Sequence, residues 1–159
     1  MMRVAGVVGA IVLGLGALTA CGDDAGAGSN PSTSTSAAQL KTADSGLGKI
    51  LVDGNGRTVY VFDKDTAGKS NCEGDCLAKW PAVAAGDSTP KLDGVEVSTI
   101  TRSDGSKQLA VGGLPVYLFA GDSKAGETKG QAVGGVWWVV GPDGKKITTQ
   151  PSNDGNSGY

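Results

Sequence analysis

The chain has 159 residues, with 14 basic and 16 acidic side chains, no histidine, and three tryptophans, three tyrosines and two phenylalanines. A formal charge of −2 without a clustered basic stretch argues against nucleic-acid binding. The lack of histidine, and of methionine beyond Met1 and Met2, excludes Ser-His-Asp and Cys-His hydrolases and disfavours the common haem and copper carriers, so no cofactor and no metal are expected.

Arg3 is the only charge ahead of an apolar run from Val4 to Ala20, and small residues lead up to Cys21. This layout predicts a secretory signal over residues 1–20. Gly6, Gly9, Gly14 and Gly16 weaken the run as a membrane-spanning helix, and no basic stop-transfer cluster follows it. The tetrad Leu18, Thr19, Ala20, Cys21 resembles a bacterial lipobox. That resemblance implies that Cys21 becomes the first mature residue and carries the acyl chains that hold the protein on the extracytoplasmic face of the membrane. Without the signal, 13 basic and 16 acidic side chains remain, a formal −3. Residues 21–44 are rich in Gly, Ser, Thr and Ala and read as a lipidated cysteine followed by a flexible tether. A single domain is expected over 45–150, with a loose tail over 151–159.

Within the domain, short runs rich in Val, Ile, Thr and Tyr are punctuated by Asp-Gly and Asn-Gly steps, the signature of hairpins. The pattern predicts strands at 49–52, 58–62, 95–102, 108–111, 116–119, 136–140 and 145–148, with at most a helical turn in "DCLAKW". The fold class is all-β: short antiparallel strands and hairpins in one small sandwich or barrel-like domain. With Cys21 lipidated, Cys72 and Cys76 are left as an even pair, and an exported domain favours a disulfide between them. A redox dithiol usually has two residues between its cysteines instead of three, and a zinc site would need further ligands.

The chain also repeats itself. Val59, Tyr60, Phe62, Asp65, Trp80 and Val83 recur 57 positions later as Val116, Tyr117, Phe119, Asp122, Trp137 and Val140, which defines two pseudo-symmetric repeats over about 46–103 and 104–150. Tyr60 and Phe62 share one face of a strand while Val59 and Val61 take the other, so the strand is covered on both sides. Asp65 and Asp122 are then expected to fix the following turns, and Trp80 and Trp137 to return over the aromatic pair. The competing reading places both acids, beside tyrosine hydroxyls, at a cleft where they bind a small ligand or cation. Trp138 faces away from Trp137 and is either buried under a loop or exposed as a binding platform.

Tyr60, Phe62 and Asp65, and again Tyr117, Phe119 and Asp122, resemble the Y-x-[FWY]-x-x-D motif of a family of bacterial secreted lipoprotein repeats, and "NCEGDCLAKWP" resembles that family's neighbouring segment. The resemblance implies secretion and a repeated fold without implying a reaction. The expectation is a lipid-anchored, non-catalytic binding or structural module of the cell envelope, meeting the membrane through its lipid and a possible envelope protein or glycan partner. The alternatives are a small-ligand or cation-binding lipoprotein using Asp65, Asp122 and nearby tyrosines, and a carboxylate-dependent enzyme.

Overall fold

The computed structural model describes residues 39–150. The expected signal (1–20), Cys21 and the tail (151–159) lie outside the described residues, as does the tether up to residue 38. Among the described residues seven strands run in chain order: β1 (Leu40–Ser45), β2 (Gly48–Asp53), β3 (Tyr60–Phe62), β4 (Val97–Thr101), β5 (Lys107–Val111), β6 (Leu114–Tyr117) and β7 (Trp137–Val139). One short helix, α1 (Asp75–Lys79), and a 3-10 turn (Val133–Gly135) complete the elements. The fold is all-β, with β1 and β2 forming one antiparallel sheet and the others a second in the order β4-β5-β6-β3-β7.

The 57-residue duplication extends further than the aromatic motif suggests. Hairpin β1-β2 corresponds to hairpin β4-β5, and Gly48 and Gly105, 57 apart, both turn with positive φ, 91° and 83°. The central contact between the copies is β3 against β6, where Tyr60 and Tyr117 are direct partners in the antiparallel register. A pseudo-dyad therefore passes between these two tyrosines.

Each repeat completes the other's sheet. β7, from the second repeat, pairs with β3 of the first through Tyr60↔Val139, Val61↔Trp138 and Phe62↔Trp137. Reciprocally, the segment after Trp80 pairs with the second repeat: Leu118 N donates to Pro81 O at 2.8 Å and Val83 N to Val116 O at 3.0 Å. Two buried clusters follow from the strand alternation. Val59, Val61, Val116 and Leu118 join Leu51 and Leu109 in an aliphatic core. Tyr60, Tyr117, Trp80 and Trp137 join Ile50 and Val52 in an aromatic one.

Three expectations change. The tether was expected to reach residue 44, yet Leu40–Ser45 is strand β1, paired along its whole length with β2. Its sequence, LKTADS, lacks apolar alternation, and only Leu40 is buried, so backbone pairing rather than side-chain pattern makes it a strand. The first repeat accordingly begins near residue 40 and the second near 97, instead of 46 and 104. Residues 145–148 do not form a strand; they make a single bridge, Val140↔Lys146, and the side-chain amide of Gln131 donates to Ile147 O (2.7 Å) and Thr149 O (2.9 Å). Ile147 N donates to Val139 O and Gly141 N to Lys145 O, both at 2.7 Å, so the segment is held by a short backbone contact on one side and by the Gln131 side chain on its own carbonyls.

Candidate functional site

The repeat motif is assembled at the pseudo-dyad, and its hydrogen bonds cross between the repeats. Tyr60 Oη donates to Asp122 Oδ2 at 2.6 Å, and Tyr117 Oη donates to Asp65 Oδ2 at 2.5 Å. The other oxygen of each acid holds its own loop: Asp65 Oδ1 accepts from Asn71 N at 2.6 Å, and Asp122 Oδ1 from Lys129 N at 3.0 Å. Each aspartate therefore closes a loop of one repeat and receives the tyrosine of the other. Burial pushes both carboxyl groups above the usual aspartate range, opposed by the tyrosine hydrogen bonds. Burial and the neighbouring carboxylate push Tyr117 up to about 12, and Tyr60 further still.

The aromatic side chains are interleaved in the same way. Phe62, Trp137, Trp80 and Phe119 form a continuous stack, with ring-centroid separations of 4.2, 3.8 and 4.5 Å. Trp80 and Trp137 lie within 4° of parallel. Each tryptophan meets the tyrosine of its own repeat edge-on, at 5.3 Å for Tyr60–Trp80 and 5.2 Å for Tyr117–Trp137. It also meets the phenylalanine of the other repeat, stacked at 13° for Trp137 on Phe62 and tilted at 33° for Trp80 on Phe119. The expectation of an indole closing its own Tyr-Phe pair is thus half met, because the segment that carries each Trp, the end of α1 for Trp80 and β7 for Trp137, packs on the opposite repeat.

A buried cation that the sequence reading missed supports the first copy. Arg102 is 7% exposed; its Nη1 donates to Ser70 Oγ (2.8 Å) and Gln108 Oε1 (2.6 Å), and its Nη2 to Cys72 O (2.5 Å). Ser70 Oγ is also 2.6 Å from Tyr117 Oη, which links the guanidinium to the Tyr117–Asp65 pair. The second copy has no such cation, since Ser45 occupies the corresponding place. Nothing in "TITRSDGS" separates Arg102 from an ordinary exposed turn residue. The disulfide between Cys72 and Cys76, with Cα atoms 5.3 Å apart, ties the residue whose carbonyl Arg102 binds to the first turn of α1. In the second copy Gly130 lies beside Tyr60; a Cβ there would come within 2.8 Å of the Tyr60 ring and of Trp80.

Asp65 and Asp122 each belong to their own Tyr-Asp pair, with both oxygens engaged. Asp63, two residues before Asp65, has different partners: it accepts from Trp138 Nε1 (2.8 Å) and Lys146 Nζ (2.7 Å). Among the described residues no group of three or more His, Cys, Asp or Glu is placed to hold a metal. Trp138 is half-buried against the aliphatic core, its indole N–H tied to Asp63 and Lys146 lying 5.7 Å from its ring centre.

Beside β3 lies a pocket of about 460 Å³. Val61, Phe62, Val111 and Leu114 supply its apolar wall. Asp63, Asp65, Asp143, Lys145 and Lys146 supply its polar groups. Neither the motif nor the spacing of the repeats pointed to it, because its lining comes from β3, the β5-β6 turn and the loop after β7.

Residues 41–84 and 98–141 each match a family described as a secreted repeat of unknown function, again with a 57-residue offset. No curated protein and no solved structure matches the chain. The two matched segments coincide with the two halves that interlock across the Tyr60–Tyr117 pair, and the family is extracytoplasmic. The chain is a member of this secreted-repeat family, carrying two copies of the repeat that together build one β domain.

Proposed function

We propose that the protein is a lipid-anchored, non-catalytic binding or structural module of the cell envelope. The observation that carries this reading is the use made of the motif acids. Asp65 and Asp122 are buried, and each bridges a loop of its own repeat to the tyrosine of the other. An acid-base mechanism needs two carboxyl groups converging on a substrate with their pKa values driven apart. Here burial shifts both in the same direction, and both serve the fold.

The anchor rests on the lipobox-like tetrad ending at Cys21. Replacing Cys21 with Ser is expected to release the protein into the medium, read as the fraction recovered in the membrane pellet. Continued membrane attachment would overturn the lipid anchor.

A second reading, a small-ligand-binding lipoprotein, is supported by the pocket beside β3. Its ligand would meet Asp63 and Asp143 at that pocket, whereas the alternative drawn from the sequence placed a small ligand or cation on Asp65, Asp122 and nearby tyrosines, whose oxygens are engaged in the two Tyr-Asp pairs.

A further inference from the structure

A duplicated fold presents the same concavities twice, and the point at which the copies differ identifies what only one of them does. Moving the pocket wall of Val61, Phe62 and Leu114 by 57 positions gives Leu118, Phe119 and Arg57. The backbone is alike in both places: Asp65 N donates to Phe62 O at 3.0 Å, and Asp122 N to Phe119 O at 3.1 Å. The contents differ. In one half Arg57 Nη2 donates to Phe119 O at 3.2 Å, so the chain supplies its own guanidinium to that carbonyl. In the other half Leu114 stands in the place of Arg57, with no polar group to offer Phe62 O, and the pocket is open.

Four charged side chains around this wall belong to the open half alone. Asp63, Asp143, Lys145 and Lys146 correspond, by the same offset, to Ala120, Gly86, Ser88 and Thr89. Lys146 is already paired with Asp63 at 2.7 Å. Three acids and two lysines line the pocket, a formal −1. Its volume lies within the range of about 300–1,000 Å³ that suits small ligands.

We infer that this pocket binds an arginine-like cation, a guanidinium on a short aliphatic chain, seated against Phe62 where Arg57 sits against Phe119. The methylenes lie along Val61, Val111 and Leu114, and the charged end is held by the Phe62 carbonyl and the carboxylates of Asp63 and Asp143. Lys145 has no carboxylate within ion-pair distance among the described residues and is available to the carboxylate of a free amino acid. The inference deepens the binding-module reading and rests on it.

The test is calorimetric titration of the detergent-solubilised full chain with arginine, agmatine, N-acetylarginine amide and citrulline. Binding of arginine and agmatine with no response to citrulline is the expected result. Arginine tighter than agmatine points to a free amino acid as the source, and the acetylated amide binding best points to an arginine side chain on a partner polypeptide; both results support the guanidinium site. Silence with all three guanidinium compounds at millimolar concentration, or equal binding of citrulline, overturns it. Leu114→Arg, which gives the open half the plug of the closed half, is expected to weaken agmatine binding about tenfold or more. Unchanged binding in that variant, with its circular dichroism intact, overturns the assignment. Should Leu114→Arg not fold, Asp143→Asn takes its place with the same expected weakening. A silent titration removes this inference alone, whereas retained attachment of the Cys21→Ser protein removes only the lipid anchor.

Discussion

Removing one hydroxyl at the pseudo-dyad tests the crossed architecture directly. Tyr60 is fully buried, and its Oη donates to Asp122 at 2.6 Å while accepting from Gly130 N at 3.2 Å. Tyr60→Phe keeps the ring and its edge contact with Trp80 but strips a buried carboxyl of a donor and a buried N–H of its acceptor. A hydrogen bond to a charged group contributes about 1.5–3 kcal/mol, and an orphaned buried N–H costs about 1–3 kcal/mol. Because water and relaxation recover part of this, the expected loss is about 3 kcal/mol. For a domain of this size that lowers Tm by about 12 °C, at roughly 4 °C per kcal/mol. The assay is urea and thermal unfolding, extended to two double-mutant cycles. Tyr60→Phe combined with Asp122→Asn should show a coupling energy of about 1.5–3 kcal/mol, whereas Tyr60→Phe combined with Asp65→Asn should add to within about 0.5 kcal/mol. Coupling to Asp65 in place of Asp122 would refute the exchange of partners between repeats, as would a Tm within about 2 °C of the wild type.

The pH dependence of stability carries a definite sign. Asp65 and Asp122 are raised above the ordinary 3.8 by burial, so their contribution is fully present below 3.8 and is lost as pH rises through their folded values. Stability of the wild type relative to Asp122→Asn should therefore increase on acidification, which chemical denaturation at stepped pH will measure; a relative decrease would contradict the burial argument. Tyr117, pushed up to about 12 from 10.0, likewise stabilises the fold below pH 10 and ceases to do so as pH rises through about 12. Native-state phenol absorbance should show this delayed ionisation, and Tyr117→Phe should flatten the alkaline fall in stability. Ala132 adopts φ 60°, a left-handed conformation that costs a residue with a Cβ roughly 1–2 kcal/mol. Ala132→Gly is expected to stabilise by about 0.5–1 kcal/mol in urea unfolding, after the greater freedom of glycine in the unfolded chain is subtracted. Trp80 and Trp137, 3.8 Å between centroids, should show a coupling of about 0.5–1.5 kcal/mol in a double-mutant cycle of the two Trp→Leu substitutions read by urea unfolding. Strictly additive losses would contradict the stack.

Much of the domain was legible in the linear chain because the relevant forces are local. The alternation of Val59, Tyr60, Val61 and Phe62 assigns two faces of a strand whatever lies on them, and the structure covers one with aliphatic and the other with aromatic side chains. Asp-Gly at 104–105 specifies the β4-β5 hairpin through backbone conformations that glycine adopts freely. The four-residue spacing of Cys72 and Cys76 in an exported chain pointed to the disulfide. The 57-residue offset announced two copies of one unit.

The tertiary structure decided which copy each side chain serves. Tyr60 and Tyr117 occupy equivalent places, as do Asp65 and Asp122, so the order of residues is equally compatible with bonds inside a repeat or between repeats. Close packing resolves the choice: pairing β3 with β6 about the pseudo-dyad brings each hydroxyl to the acid of the other repeat and each indole onto the other repeat's phenylalanine. The same non-local packing buries Arg102 from what reads as a surface turn, and lets Arg57 fill one half while Leu114 leaves the other open. Such partners are separated by tens of residues along the chain, and side-chain periodicity specifies faces and turns but carries no information about which distant surface will meet them.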